Sequence, residues 1–263
     1  VRTEYRPSVV TRAVRTARAL PLTPGITLAT AQRVLQQIVR DRGSVALMLA
    51  IPCMLMVILK LMFDDADGAF ERIGPQVFGI FPLIVMYLVA SVSTLRERTS
   101  GTAERLLTMP VQRLDIVLGY SLAFGFLALL QAVLATLLSV GPLGLDIKGP
   151  PYLLMIIAML GALLGLALGL LVSAFARNEF QAVQFLPAGV LPQFLVCGLF
   201  VPREDMSDGL SAVAKVMPMT YAVQAAGEAA RHDGVTGLFV RDALLILGCV
   251  IVVLLASAAT LKR

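Results

Sequence analysis

Histidine is almost absent from this chain: 263 residues hold one, His232. Cysteine is nearly as scarce, and Cys53, Cys197 and Cys249 each sit in or at the edge of an apolar run. There is no CxxC and no His–Cys spacing, so neither a metal site nor a disulfide framework is indicated; the thiols read as small core residues. A membrane hydrolase or transferase needs His, Asp or Glu clustered near a span end. His232 instead lies between Arg231 and Asp233 in a polar stretch and reads as solvated, which argues against an enzyme. The phosphate-binding pattern G-x-x-x-x-G-K-[ST] is also missing, so ATP is not bound by that route. Charge is sparse at 15%, against 58% hydrophobic residues and a mean hydropathy of +0.85. The net charge of +5 does not point to nucleic acid, because the basic residues flank apolar runs and report topology instead.

What is present is a series of apolar runs, each long enough as a helix to cross roughly 30 Å of hydrocarbon. The runs are continuous rather than alternating, which selects helices over a barrel. Six spans are expected, at about 44–63, 75–95, 115–140, 152–176, 182–201 and 238–260. The fold class is therefore an all-α membrane protein. Residues 1–26 carry Arg2, Arg6, Arg12, Arg15 and Arg18 with Pro7, Pro21 and Pro24 but no apolar core. They are expected to form a disordered cytosolic tail rather than a cleavable signal, with arginines placed to meet anionic headgroups. Residues 27–263 make up the membrane domain.

Between 27 and 42, Leu28, Ala31, Val34, Leu35, Ile38 and Val39 fall on one helical face, with Arg33, Gln36, Gln37 and Arg40 opposite. That pattern predicts an amphipathic interfacial helix, apolar side down. The first span carries Pro52 as a kink and Lys60 near its outer end, where Asp64 and Asp65 stand within pairing reach. The tail and interfacial helix, the 96–114 loop, Arg177 and Lys262–Arg263 hold about fifteen of the Lys and Arg residues, and the alternate loops about six. Both termini are therefore expected inside. In the fourth span Gly161, Gly165 and Gly169 recur at i, i+4 and i+8, a stripe for close helix approach, expected within the chain. Gln131, deep in the third span, is expected to bond to a neighbouring helix. Glu179 is expected to pair with Arg177 or an arginine of the 96–114 loop.

The loop after the second span reads RERTSGTAERLLTMPVQRL from Arg96. Gly101 can cap a helix, Glu104 complements its dipole, and Pro110 stops it. The result is a two-turn helix at 102–109, too short to stand without a membrane surface or a protein groove. On physics alone, a plain interfacial turn explains it equally well.

Arg96, Glu97, Arg98, Gly101, Thr102, Glu104, Leu106, Leu107 and Pro110 resemble the R-E-R-x-x-G-T-x-E-x-L-L-x-x-P run of type-2 ATP-binding-cassette (ABC) export permeases. That class includes the daunorubicin-exporter and nodulation-exporter permeases. A second similar stretch lies at Gly198, Pro202, Met206, Leu210, Pro218, Thr220 and Tyr221, before the last span. In that class this segment forms short re-entrant helices closing the outer face, so Pro202, Pro218 and Tyr221 become candidate gate residues. The polar but partly apolar composition of 201–235 agrees with a short amphipathic helix broken at Pro218.

The resemblance, which covers about 27–263, implies a permease subunit without its own cofactor. ATP and Mg would be bound by a separate ATPase subunit, and a second permease chain would complete a homo- or heterodimer. Glu97, Arg98, Gly101, Thr102, Glu104, Arg105, Leu106, Leu107 and Pro110 become the candidate ATPase-coupling residues, with Leu106 and Leu107 filling a groove. Arg33, Gln37 and Arg40 become candidate interfacial-helix residues. Because the second and fifth spans of the class face the dimer axis, Phe78, Phe81, Tyr87, Phe185, Gln193 and Phe194 are candidate lining for a substrate path, though ordinary packing explains each equally well. Few polar groups among them point to a hydrophobic or amphipathic substrate: a drug, a lipid or a lipid-linked glycan. The abundance of Arg and Ala suits a bacterial plasma membrane. Rival readings are a secondary transporter, which would show mid-membrane ionisable residues and an internal repeat, and a non-transporting subunit of a membrane complex.

Overall fold

A computed structural model describes residues 24–64, 66, 68–99 and 113–260. Among these, all regular structure is helical: α1 (Pro24–Arg40), α2 (Arg42–Met62), α3 (Ala69–Phe78), α4 (Phe81–Thr99), α5 (Arg113–Val140), α6 (Pro151–Ser173), α7 (Glu179–Val196), α8 (Asp208–Val216), α9 (Pro218–Arg231) and α10 (Gly237–Thr260), with a 3-10 turn at Arg203–Asp205. Five stretches are long and apolar enough to cross a membrane: Val45–Met62, Ala69–Thr99, Leu114–Val140, Pro151–Ser173 and Gly237–Thr260. The stretch expected as the fifth span, 182–201, falls in the helix α7, which does not belong to that group. It carries Gln181, Gln184 and Gln193 and two internal prolines, Pro187 and Pro192, and it ends at Val196 before Gly198 turns the chain at φ +95°.

α4 and α6 form the centre. They run parallel, and the glycine stripe of α6 lies on the backbone of the α3–α4 segment with matching four-residue steps. A Cβ on Gly161 would meet the Gly79 carbonyl oxygen at 3.2 Å, one on Gly165 would overlap the Leu83 carbonyl, and one on Gly169 would stand 2.7 Å from the Tyr87 carbonyl. The stripe thus packs within the chain, and only glycine permits this approach. Burial grades outward: 67% of the Ala69–Thr99 window is covered by protein, but only 17% of Val45–Met62 and 22% of Gly237–Thr260. α2 and α10 are therefore peripheral, and their exposed Leu47, Met54, Ile58, Leu244, Ile251 and Leu255 suit contact with lipid.

The span expected at 75–95 is broken. α3 stops at Phe78, Gly79 and Ile80 make tight turns onto Gln76 and Val77, and α4 restarts at Phe81. The break is filled by α9, since a Cβ on Gly79 would lie 2.7 Å from the Ala222 carbonyl carbon. From its composition, 201–235 is expected to hold one short amphipathic helix that Pro218 breaks. Instead Met219, Ala222, Val223, Ala225, Ala226 and Ala229 are buried in α9, and Pro218 begins α9 at its first turn as well as ending α8. Alanine and glycine carry little hydropathy yet pack where larger side chains do not fit, which explains the misreading.

α1 starts at Pro24, so the first turn of the amphipathic helix takes in residues assigned to the tail. Its apolar face is divided. Ala31, Val34 and Ile38 are buried against the bundle, while Leu28 and Val39 are exposed. α1 lies on the start of α5, where a Cβ on Gly119 would stand 2.7 Å from the Thr30 side chain and Thr27 Oγ1 donates to Asp115 Oδ1 at 2.9 Å. At the opposite end Lys60 Nζ lies 3.8 Å from Asp64 Oδ1 and 5.3 Å from the Phe70 ring centre, the pairing expected for a terminal lysine. Gln131 departs from expectation. It is 1% exposed, and neither amide atom has a hydrogen-bond partner among the described residues.

Candidate coupling site at the end of α4

Successive residues of an α-helix point about 100° apart, so three in a row fan around most of its circumference. Arg96, Glu97 and Arg98 occupy the last turn of α4, and each joins a different element. Arg96 grips Glu179 at the start of α7 through two bonds, Nε to Oε1 at 2.7 Å and Nη2 to Oε2 at 3.0 Å. Such a fork-to-fork pair fixes orientation as well as distance. The Arg96 guanidinium holds the Glu179 carboxyl below the ordinary glutamate value, chiefly through these hydrogen bonds. Glu97 turns the other way, is 5% exposed, and accepts from Arg33 Nη2 of α1 at 3.4 Å, with Gln37 as a further hydrogen-bond partner. Arg98 Nη1 donates to the Ser173 carbonyl at 2.8 Å, capping an otherwise unpaired acceptor at the end of α6.

The start of α7 is itself built to receive this. Asn178 caps the helix by accepting from the Gln181 N–H at 2.8 Å, and the Gln181 side chain accepts from the Arg177 N–H at 2.8 Å. This reciprocal arrangement is a variant of the capping box, and N-x-x-Q was visible in the sequence as its signal. It sets Glu179 at the first helical position, facing α4. One turn on, the Tyr87 hydroxyl donates to the Ala182 carbonyl at 3.1 Å.

The candidate residues are distributed as follows. Glu97 and Arg98 point into the bundle rather than to an exposed rim. Gly101, Thr102, Glu104, Arg105, Leu106, Leu107 and Pro110 lie outside the described residues, as does the helix expected at 102–109. Arg33 and Gln37 both join Glu97, while Arg40 lies exposed on α1. Of the residues assigned to a substrate path, Phe78 and Tyr87 are buried in this chain, and Tyr87 serves as a strut to α7. Phe185 is exposed at 38%, on a helix with just two buried residues, Ala182 and Val190. Gln193 bonds back to the Gly189 carbonyl, Phe194 stacks edge-on with Phe200, and Phe81 is half-buried between core clusters. Pro202 is exposed, Pro218 opens α9, and the Tyr221 hydroxyl donates to the Lys215 carbonyl, tying α9 to α8. His232 is half-exposed beside Glu228, and among the described residues no three His, Cys, Asp or Glu side chains are grouped to hold a metal.

The arrangement joins charged clamps to a membrane bundle. Residues 27–228 match the ABC-2 type transporter family, so the chain belongs to that family. It is similar to the "Probable multidrug ABC transporter permease YbhS" of Escherichia coli, at 30% identity over 62% of this chain and 44% of that protein. It is also similar to the "Inner membrane transport permease YhhJ" of Escherichia coli, at 30% identity over 50% of this chain and 36% of the relative. A third relative is the "Linearmycin resistance permease protein LnrN" of Bacillus subtilis, at 27% identity over 74% of this chain and 48% of that protein. The chain therefore matches somewhat under half the length of these curated relatives.

Proposed function

We propose that this chain is the membrane-spanning permease subunit of an ATP-driven exporter, carrying a hydrophobic or amphipathic molecule outward across a bacterial plasma membrane. A separate ATPase binds ATP and Mg and docks at residues 101–110, and a second permease chain completes the transporter. The observation that carries the reading is the three-way clamp at Arg96, Glu97 and Arg98. These residues stand directly before the segment proposed to meet the ATPase, and they tie it to α7, α1 and α6 at once. Closure of the ATPase pulls on residues 101–110; the clamps pass that displacement to three helices, and access to the cavity alternates. The printed names of YbhS and LnrN, multidrug and linearmycin resistance permeases, support a drug-like or lipid-like cargo. In this reading α7 is the fifth of six spans, and its exposed face meets the second permease chain. Both termini lie in the cytoplasm, and α8 with α9 closes the outer face near Pro202, Pro218 and Tyr221.

The test is paired replacement, Leu106→Asp with Leu107→Asp. The variant should insert in the membrane at wild-type level, lose the ATPase on co-purification, and lose export. Unimpaired export and ATPase retention would sink the assignment.

A further inference from the structure

A polar pocket of ≈ 350 Å3 opens at the end of the bundle opposite the clamp, within the roughly 300–1,000 Å3 typical of small-molecule sites. Three segments wall it, and each is fastened to another. The Lys148 N–H donates to the Ala230 carbonyl at 2.9 Å, and a Cβ on Gly149 would stand 2.7 Å from the His232 carbonyl oxygen, so the α5–α6 connection is seated on the end of α9. A Cβ on Gly74 would stand 3.1 Å from Leu145 Cδ1, so α3 lies against the same connection. The pocket is therefore built before anything enters it.

Its lining is charged. α3 contributes Glu71, Arg72 and Gln76. The connection brings Asp146 and Lys148, and α9 brings Arg231 above a floor of Gly227. Among the described residues none of these five charged groups forms an ion pair, and only Arg231 has a side-chain hydrogen bond, from Nε to the Gly227 carbonyl at 3.1 Å. That bond fixes the guanidinium. A Cβ on Gly227 would lie 2.9 Å from Arg231 Nη2 and 3.5 Å from Gln76 Nε2, so two donors from different helices converge on a place that glycine keeps open. Arg72 and Lys148 add cations from the other two walls. Three cations and converging donors suit an oxyanion, and the two carboxylates suit an ammonium on the same molecule.

Depth in the membrane narrows the ligand further. The apolar stretches Ala69–Thr99 and Pro151–Ser173 both begin beside the pocket, which places it at headgroup level. Just past Lys148, α6 exposes Tyr152 and, one turn on, Ile156, apolar cover for an acyl chain.

We propose that this pocket binds a membrane lipid whose head carries a phosphate diester and a primary ammonium. The phosphate sits over Gly227 among Arg231, Gln76, Arg72 and Lys148, and the ammonium meets Glu71 and Asp146. The site stands apart from residues 101–110 and from the path along α7, and its occupancy does not depend on the exporter reading.

The test mixes the full chain, purified in a sugar detergent, with equal amounts of dioleoyl phosphatidylethanolamine, phosphatidylcholine and phosphatidylglycerol, and reads retained lipid by native mass spectrometry. The ethanolamine lipid should be retained roughly fivefold or more above either other, because a quaternary nitrogen donates no hydrogen bond and glycerol carries no cation. Arg72→Gln and Lys148→Gln, at exposed positions, should each lower that retention by roughly threefold or more. Glu71→Gln should erase the preference over the glycerol lipid. Gly227→Ala, whose methyl group meets only movable side-chain ends, should fold and lose the lipid. Excess O-phosphoethanolamine should displace the lipid, and inorganic phosphate should not. Equal retention of the three lipids, retention unchanged in Arg72→Gln and Lys148→Gln, or displacement by phosphate as efficient as by O-phosphoethanolamine would overturn the proposal. So would O-phosphoethanolamine binding to a chain that retains no ethanolamine lipid, which would assign the pocket to a soluble zwitterion.

Discussion

Breaking the Glu97–Arg33 clamp should cost both stability and coupling, and the two losses can be separated. Glu97 is nearly fully buried, while the Arg33 side chain remains 35% exposed. Removing one member of a fully buried pair costs about 3–5 kcal/mol, but exposed pairs are worth about 0–1. A pair with one solvated partner at 3.4 Å belongs between these limits, so Arg33→Ala should destabilise by roughly 1–2 kcal/mol. Glu97→Gln keeps the shape and the bond to Gln37 while removing the charge, and should cost about 1 kcal/mol. The double variant should then cost less than the sum of the two single changes by at least 0.5 kcal/mol, the signature of a shared interaction. Thermal unfolding in nanodiscs reads the stability side. Stimulation of the partner ATPase by cargo reads coupling, and it should fall in both single variants at temperatures where each remains folded. Additive stabilities within about 0.3 kcal/mol, together with wild-type stimulation, would refute the clamp.

Other outcomes follow from the packing and the charges. Gly165→Ala places a methyl group against the Leu83 carbonyl, so the parallel α4–α6 pair must separate; a loss of about 1–3 kcal/mol or failure to accumulate in the membrane is expected, whereas Gly189→Ala, with open space around it, should be tolerated. Gln131→Leu removes a buried amide that has no partner among the described residues, so the variant should be neutral or more stable by about 1 kcal/mol in thermal unfolding; clear destabilisation would reveal a bonded amide. The Glu179 carboxyl is held below its ordinary value, so the Arg96 pair stabilises above the unfolded glutamate range and loses that contribution as pH falls through the lowered folded value. The stability difference between wild type and Glu179→Gln should therefore be constant from pH 8 to about 5 and shrink only in stronger acid; a difference that vanishes between pH 7 and 5 would contradict the pairing.

Much of the bundle was legible because its signals are local. The apolar runs, the α1 periodicity, the Lys60–Asp64 pair and the glycine stripe each lie within one element, and each is present. The break at Gly79 was less visible, since Pro75 and Pro82 are both tolerated inside membrane helices and do not by themselves mark a break. α9 was hidden because alanine burial leaves a weak hydropathy signal. Of the clamp partners, Arg96–Glu179 meets the expectation that Glu179 pairs with an arginine of the 96–114 loop. Glu97–Arg33 was illegible for a different reason: it joins positions 64 apart and requires a mutual rotation of helices that no single stretch encodes. A motif at Arg96–Arg98 was visible in the sequence, but not that Glu97 within it faces inward.

How the bundle is divided into moving parts follows from these contacts. α6 lies against the backbone of Gly79, Leu83 and Tyr87 at three successive turns, a close approach suited to α4 and α6 displacing together. α7 is held differently. Arg96–Glu179 and Tyr87–Ala182 pin its first turn to α4, yet beyond that turn it buries only Val190 and carries two internal prolines. A helix fixed at one end and thinly packed along the rest is placed to pivot about the fixed end when α4 shifts. On the opposite side, α1 is fastened twice, to α4 through Glu97 and to α5 through Asp115 and Gly119, so it spans the two helices that flank residues 100–112. A pull on that segment loads both of its ends, and α1 resists their separation. In the exporter reading proposed above, the displacement would then leave by the less constrained route, through Arg96 into α7. Strengthening the α1 brace should accordingly sharpen transmission to α7 rather than block it, while cutting the Arg96–Glu179 pair should leave α7 still and the rest of the bundle intact.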